Sequence, residues 1–248
     1  MDPLFDFSGK VVLVTGGSRG LGYQMVRAFA ERGADVIVTS RKKASCDAVA
    51  DEVRALGRRA LAYGCHVGHW QEVEALVDVA YAEFGKIDVL VNNAGMSPVT
   101  PTPADVSEEL FDKIIGVNFK GPFRLAALVG QRMAAQGSGC IINVSSIGAL
   151  RPTPLAIPYC GAKAALNAMT EAFAAEFGRS GVRVNTISAG PFLTDISEAW
   201  PEEQRQSAPS ALGRPGRPEE VVTTALYLAS PHSSFVTACL ARADGGMY

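Results

Sequence analysis

A chain that runs Val11-Val12-Leu13-Val14-Thr15 directly into Gly16, with further glycines at Gly20 and Gly22, has few folds open to it. The β-branched run reads as a strand of a buried parallel sheet. The glycines turn the chain, and an amphipathic segment begins at Leu21. A strand that turns through glycines into a helix N-terminus leaves free N–H groups and the positive end of the helix dipole aimed at one place. That place is an anion site. On this reading the glycines are needed because a Cβ would keep the backbone away from a pyrophosphate. The spacing is G-x-x-x-G-x-G rather than the commoner G-x-G-x-x-G, and alone it also suits a purely structural turn.

The rest of the chain repeats the alternation. Strands are expected at 35–39, 59–63, 88–91, 140–145, 183–188 and 239–242. Helices are expected at 21–32, 44–56, 70–84, 105–135, 159–177 and 218–229. Strand and helix in regular alternation mean a parallel sheet covered on both faces: a single doubly wound α/β domain over 1–248, with a mainly parallel seven-stranded sheet. A chain of 248 residues can bury a large core without disulfides. Hydrophobic residues make up 48% and charged residues 19%, a balance of folded rather than disordered chains. The net charge of −2, without a long run of one sign, argues against nucleic acid or an anionic membrane as partner. The apolar stretch 133–150 is broken by Gly137-Ser138-Gly139 and by Asn143, and reads as a loop and strand rather than a membrane span. Five scattered cysteines suggest free thiols in a reducing compartment, and no signal peptide is read before Lys10, so a cytoplasmic location is expected.

In such a sheet, ligands sit beyond the carboxyl ends of the strands. The unusual residues of this chain fall there: Gly16 to Gly22, Ser40-Arg41-Lys42, Cys65-His66-Val67, Asn92-Asn93-Ala94-Gly95, Ser145-Ser146 and Ala189-Gly190-Pro191. Tyr159 and Lys163, four apart, share one helix face. They suit a surface pair or a satisfied core tyrosine. They equally suit an acid/base in which a neighbouring cation lowers the phenol pKa from about 10. Ser146 is a turn residue or a hydroxyl that polarises a carbonyl. Asn118, inside a helical region where Asn is a poor choice, is a kink or the anchor of a water near the lysine. Cys65-His66-x-x-His69 offers soft ligands, but no fourth ligand is near and no metal is expected. Cys160 reads as a small packing residue.

Taken together, Thr15-Gly16-x-x-x-Gly20-x-Gly22, Asn92-Asn93-Ala94-Gly95, Asn118, Ser146 and Tyr159-x-x-x-Lys163 make the chain resemble the short-chain dehydrogenase/reductase family over nearly its whole length. The resemblance implies hydride transfer between a nicotinamide cofactor and a small-molecule carbonyl or secondary alcohol, such as a 3-oxoacyl, sugar or polyol, or steroid-like compound. It implies Tyr159 as acid/base and Lys163 as the group that lowers its pKa and holds the nicotinamide ribose. Ser146 then orients the carbonyl, and Asn118 supports a proton relay. Cofactor contacts are implied along Gly16, Ser18, Arg19, Gly20, Leu21 and Gly22, at Val67, at Asn93, Ala94 and Gly95, and at Gly190, Pro191, Phe192 and Thr194. The usual Asp facing adenine is His66 here, which could accept from the adenine amino group only in the right tautomer. A carboxylate at the end of the second strand would favour NAD. Ser40, Arg41 and Lys42, with Arg19, favour the 2′-phosphate of NADP, unless they form only a solvated basic turn. The segment 191–218, too long for a simple connection, reads as a substrate lid with Phe192 and Trp200 as apolar walls, or as a surface insertion. Phe192, Leu193, Trp200, Pro152 and Leu155 suggest a partly apolar pocket. A homo-oligomer, dimer or tetramer, is implied by resemblance. The rival reading is a dinucleotide-binding sensor or scaffold without turnover.

Overall fold

The computed structural model describes residues 2–195, 197 and 202–247, so Trp200 lies outside the described residues. Seven strands form one sheet: β1 (Val11–Thr15), β2 (Asp35–Ser40), β3 (Ala60–Gly64), β4 (Val89–Asn92), β5 (Gly139–Ser146), β6 (Val182–Ala189) and β7 (Leu240–Ala243). They lie in the order β3-β2-β1-β4-β5-β6-β7, every neighbouring pair parallel. The helices are α1 (Gly20–Glu31), α2 (Lys43–Ala55), α3 (Trp70–Phe84), α4 (Glu108–Ile115), α5 (Gly121–Gln136), α6 (Ile157–Phe177), α7 (Glu202–Gln206) and α8 (Val222–Ala229). No helix among the described residues is long and apolar enough to cross a membrane.

The period of two in a strand divides the core. Val12 and Val14 pack with Met25, Val26 and Phe29 of α1, Val49 and Val53 of α2, and Leu226 of α8. Val11 and Leu13, on the other face, pack with Leu76 of α3, Leu125 and Val129 of α5, and Phe177 of α6. The chain builds outward from β1 to β3, then returns to β4 and builds the other way. The strand order therefore reverses between β1 and β4, and a crevice opens there at the carboxyl ends.

The expected helix 105–135 is interrupted. A single π turn, Gly116–Lys120, separates α4 from α5. Two features break the regular ladder: Asn118 bonds back to the Ile114 carbonyl, and Pro122 in the first turn of α5 has no N–H to give. Gly121 meets the loop after β3 so closely that a Cβ there would lie 2.1 Å from the Val67 carbonyl oxygen. The segment 191–218 has a paired stem: Gly216 N–H donates to the Pro191 carbonyl at 2.9 Å, and Leu193 N–H to the Gly216 carbonyl at 2.8 Å. Phe192 is buried in that stem against Gly216 and presents an apolar edge to the cleft.

The contact at Gly121 is testable. Gly121→Ala should destabilise by more than about 2 kcal/mol, because the obstacle is backbone. Gly178→Ala, where a Cβ meets nothing and φ is −58°, should stay within about 0.5 kcal/mol. Urea denaturation of both variants reads the difference, and equal midpoints would contradict the packing described.

Candidate active site

One cleft of about 1050 Å³ runs along the carboxyl ends of the strands. It gathers almost every residue singled out from the sequence. Gly16, Ser18, Arg19, Gly20 and Leu21 line its centre; Ser40, Arg41, Lys42, His66 and Val67 line one end. Asn93, Ala94, Gly95, Ser146, Tyr159, Lys163, Gly190, Pro191, Phe192 and Thr194 line the rest. Gly22 and Asn118 stand behind the wall. A Cβ on Gly22 would lie 2.2 Å from the Gly16 carbonyl oxygen, so the close packing of α1 on its own loop requires glycine here. Pro152 and Leu155 are exposed and do not line the cleft; Thr153 and Ala156 take that place.

The centre is tied to its neighbour strand. Thr15 Oγ1 accepts the N–H groups of Asn93 and Ala94, each at 3.0 Å. Asn93 Nδ2 donates to the carbonyls of Thr15 at 2.9 Å and Gly16 at 3.3 Å. The side chain of Asn93 therefore holds the glycine loop in shape.

At the other end, β5 grips α6 twice. Ser145 Oγ donates to the Lys163 carbonyl at 3.2 Å, and Lys163 Nζ donates to the Val144 carbonyl at 2.8 Å. α6 starts at Ile157, with Pro158 in its first turn, where a missing N–H costs nothing. Tyr159 and Lys163 then fall on successive turns of one face. The ammonium lies 5.8 Å from the centre of the Tyr159 ring. Ser146 Oγ accepts the Gly148 N–H at 3.0 Å, and its hydroxyl lies beside that of Tyr159.

The electrostatics differ from the expectation of a lowered phenol. Desolvation raises the Tyr159 pKa above its usual value; the Ser146 hydroxyl partly offsets that rise, and Cys160 adds to it. Lys163 is only 3% exposed, and burial depresses its pKa to about 8. Its charge is turned to Val144 and is itself strained by burial, so it does not dominate the phenol. The result at neutral pH is a protonated phenol beside an ammonium that burial destabilises but leaves mostly charged.

Asn118 is fully buried in the π turn. Its Nδ2 donates to the carbonyls of Met96 at 2.9 Å and Ile114 at 3.0 Å, and its Oδ1 accepts Met96 N–H at 3.3 Å. Both amide protons are committed, so the kinked, back-bonded reading of Asn118 describes its side chain. A Cβ on Gly95 would sit 3.1 Å from Asn118 Oδ1 and 3.6 Å from Lys163 Nζ. The space kept by Gly95 is a cradle in front of the ammonium, of the kind a ribose hydroxyl could fill.

At the far end, Ser18 and Ser40 hydroxyls meet at 3.0 Å beside exposed Arg41. Arg19 does not join them: it pairs with Asp195 at 3.1 Å across the cleft. His66 Nδ1 accepts the Gly68 N–H at 3.2 Å, so the neutral ring carries its proton on Nε2. That is the tautomer that cannot accept from an adenine amino group. Burial, then neighbouring His69 and Arg41, hold its pKa below the usual value. Cys65, His66 and His69 are not gathered into a metal-holding group among the described residues. The rings stack face to face at 4.2 Å, and burial pushes the Cys65 thiol up to about 12.

Sequence reasoning missed Lys113, Arg151 and Met247 on the cleft wall. They lie on a helix, a loop and the chain's end, and only the folded arrangement brings them to one opening.

The family model described as enoyl-(acyl carrier protein) reductase matches residues 16–248. The 3-oxoacyl-(acyl-carrier-protein) reductase FabG of Thermotoga maritima is 36% identical over 96% of this chain and 98% of its own length. The 7alpha-hydroxysteroid dehydrogenase of Escherichia coli is 34% identical over 96% of this chain and 94% of its own. A short-chain type dehydrogenase/reductase of Mycobacterium marinum superposes with a TM-score of 0.92 at 36% identity, over 98% of this chain and 96% of that one. A 7 alpha-hydroxysteroid dehydrogenase complexed with NADH and 7-oxo glycochenodeoxycholic acid gives a TM-score of 0.92 at 31% identity, over 99% and 97% of the two chains.

Burial of Lys163 has a consequence for stability. A lysine depressed in the folded state penalises folding fully below about pH 8, and the penalty fades as pH rises toward the unfolded value of about 10.4. Lys163→Met should therefore stabilise the protein at neutral pH. The gain is about 1–2 kcal/mol, once the lost bond to Val144 is set against a charge penalty of about 3 kcal/mol. Urea melts of both proteins, at neutral pH and near pH 10, test this: the gap should narrow at high pH. A variant less stable than its parent at neutral pH would contradict the burial cost.

Proposed function

Because the chain belongs to the short-chain dehydrogenase/reductase family, we propose that it is an NADP(H)-dependent oxidoreductase that interconverts a carbonyl compound and a secondary alcohol. The observation that carries this reading is the convergence of the Ser146 and Tyr159 hydroxyls and the Lys163 ammonium on one end of a cleft whose centre is a glycine loop. A bound nicotinamide supplies or accepts the hydride. The neutral Tyr159 phenol is in the right state to give a proton to the carbonyl oxygen during reduction. The Ser146 hydroxyl donates to the same oxygen and opposes its developing charge. Lys163 faces the cradle at Gly95, where it would hold a ribose hydroxyl. Its positive charge also reduces the cost of a phenolate when Tyr159 works in reverse.

The NADP assignment rests on Ser18, Ser40 and Arg41. Hydroxyls and a guanidinium without an ion pair among the described residues suit a 2′-phosphate, and the turn after β2 offers no carboxylate to bind ribose hydroxyls. Arg19 is removed from that set by its pairing with Asp195. For the substrate, relatives at similar identity carry names of 3-oxoacyl, hydroxysteroid and D-threitol chemistry. Here Met96, Val99, Ile147 and Ala156 line the reactive end, with Lys113 and Arg151 also in the wall. That lining suits an apolar carbonyl compound bearing an anionic group better than a polyol. The exposed rings of Phe111 on α4 and Phe123 on α5 would suit a homo-oligomer face.

NADPH oxidation across a panel of ketones, with and without carboxylate groups, tests the activity. Cofactor binding with no oxidation of any member would favour a sensor instead. Calorimetry at fixed salt should give a lower Kd for NADPH than for NADH. Arg41→Ala should narrow that gap about fivefold, the scale of an exposed charge contact of ~1 kcal/mol. Equal affinities in the parent would contradict the 2′-phosphate assignment.

A further inference from the structure

The imidazole of His66 is held more firmly than a residue on an open cleft needs to be. Its Nδ1 accepts the Gly68 N–H at 3.2 Å. A Cβ on Gly68 would lie 3.0 Å from His66 Cε1, so the glycine leaves the ring its place. The His69 ring stacks on it at 4.2 Å, with 20° between the planes. Glu72, in the first turn of α3, fastens both histidines. One carboxylate oxygen accepts the His66 backbone N–H, and the other bonds His69 Nδ1, both at 2.7 Å. The ring is thus fixed in orientation and in tautomer, with Nε2–H as its remaining polar group and no partner for it among the described residues.

The place of His66 follows from the sheet order. Tyr159, Lys163 and Ser146 stand beyond β5, the glycine loop beyond β1, and Ser40 and His66 beyond β2 and β3. An extended dinucleotide with its reactive ring at Tyr159 and its pyrophosphate at the glycine loop must lay its other base at the β2–β3 end. A carboxylate there would accept from the amino group of adenine. A fixed N–H donor instead requires an acceptor on the base: the ring nitrogen N1 of adenine, or the carbonyl oxygen of a 6-oxopurine such as hypoxanthine.

We propose that the base pocket at His66, held by His69, Gly68 and Glu72, is a donor site that accepts a 6-oxopurine nicotinamide dinucleotide at least as well as the adenine form. The proposal rests on the dinucleotide reading above and makes His66 the residue that sets base specificity. Replacing His66 by a carboxylate reverses the hydrogen-bond demand. A base whose demand is unmet leaves the fixed N–H, or the carboxylate in its place, without a partner, which costs about tenfold in affinity.

The test uses the dihydronicotinamide fluorescence of NADPH and of its hypoxanthine analogue, titrated into parent and His66→Asp at fixed salt. The parent should bind the hypoxanthine form as tightly as NADPH or more tightly. His66→Asp should shift the ratio toward adenine by about tenfold. A parent that prefers adenine by about tenfold, or a folded variant with an unchanged ratio, overturns the proposal. Nitrogen NMR of the labelled parent gives a readout that needs no variant. The His66 proton should reside on Nε2 with either dinucleotide bound, and a proton on Nδ1 overturns the proposal. Repeating the titration with the pair that lacks the 2′-phosphate separates the two claims. A failure of the NADP assignment removes the preference for the phosphorylated forms and leaves the base ratio intact. Binding of none of the four overturns both.

Discussion

The grip of the β5 end on Lys163 is the constraint on which the site depends. One contact, from Ser145 to the Lys163 carbonyl, sets how far α6 lies along the strand. The other, from the ammonium to the Val144 carbonyl, fixes the side chain. Ser146 is the next residue of β5, and Tyr159 is one turn earlier on α6. Two hydrogen bonds therefore determine the separation of the hydroxyls and the cation. A buried polar chain supports them from below. Asn92 donates to Asn143, Asn143 and Thr186 donate to Thr170, and Thr170 donates to the Leu166 carbonyl, each at 2.9 Å. Four elements, β4, β5, β6 and α6, are locked in register by side chains that sequence alone would leave as scattered polar residues in a core.

This rigidity explains how the site keeps an unfavourable charge state. A nearly buried ammonium with one carbonyl partner is costly, and the bond to Val144 offsets part of that cost. Burial keeps the phenol protonated at neutral pH and destabilises the ammonium beside it without discharging it. The same reasoning applies to Asn118. Its amide is spent on Met96 and Ile114, so its contribution is to shape the wall behind Gly95 and to fix the π turn.

Much of this was legible in the sequence because the informative signals are local. Alternation of strand and helix gave the doubly wound sheet, and the residues after each strand had to meet at one edge. The i, i+4 relation of Tyr159 and Lys163 needed only helix geometry. What was not legible depends on contacts between distant segments. The pairing of Arg19 with Asp195 spans the cleft, and no spacing rule joins them. The tautomer of His66 depends on the path of the loop at Gly68. The demand that its own loop backbone makes for glycine at Gly22 depends on how closely α1 packs there. The raised phenol pKa reflects burial, which outweighs a cation whose presence the sequence could show but whose direction it could not.

The central claim is that the Tyr159 hydroxyl moves the proton. Its most direct measurement is the kcat of purified Tyr159→Phe with the best carbonyl substrate, taken together with cofactor affinity and the folded state. The ring and its packing are retained, so folding and cofactor affinity should match the parent while kcat falls by at least ~10²-fold. A folded variant with near-parental kcat would show that the proton comes from elsewhere, and the chemistry assigned to this cleft would be wrong.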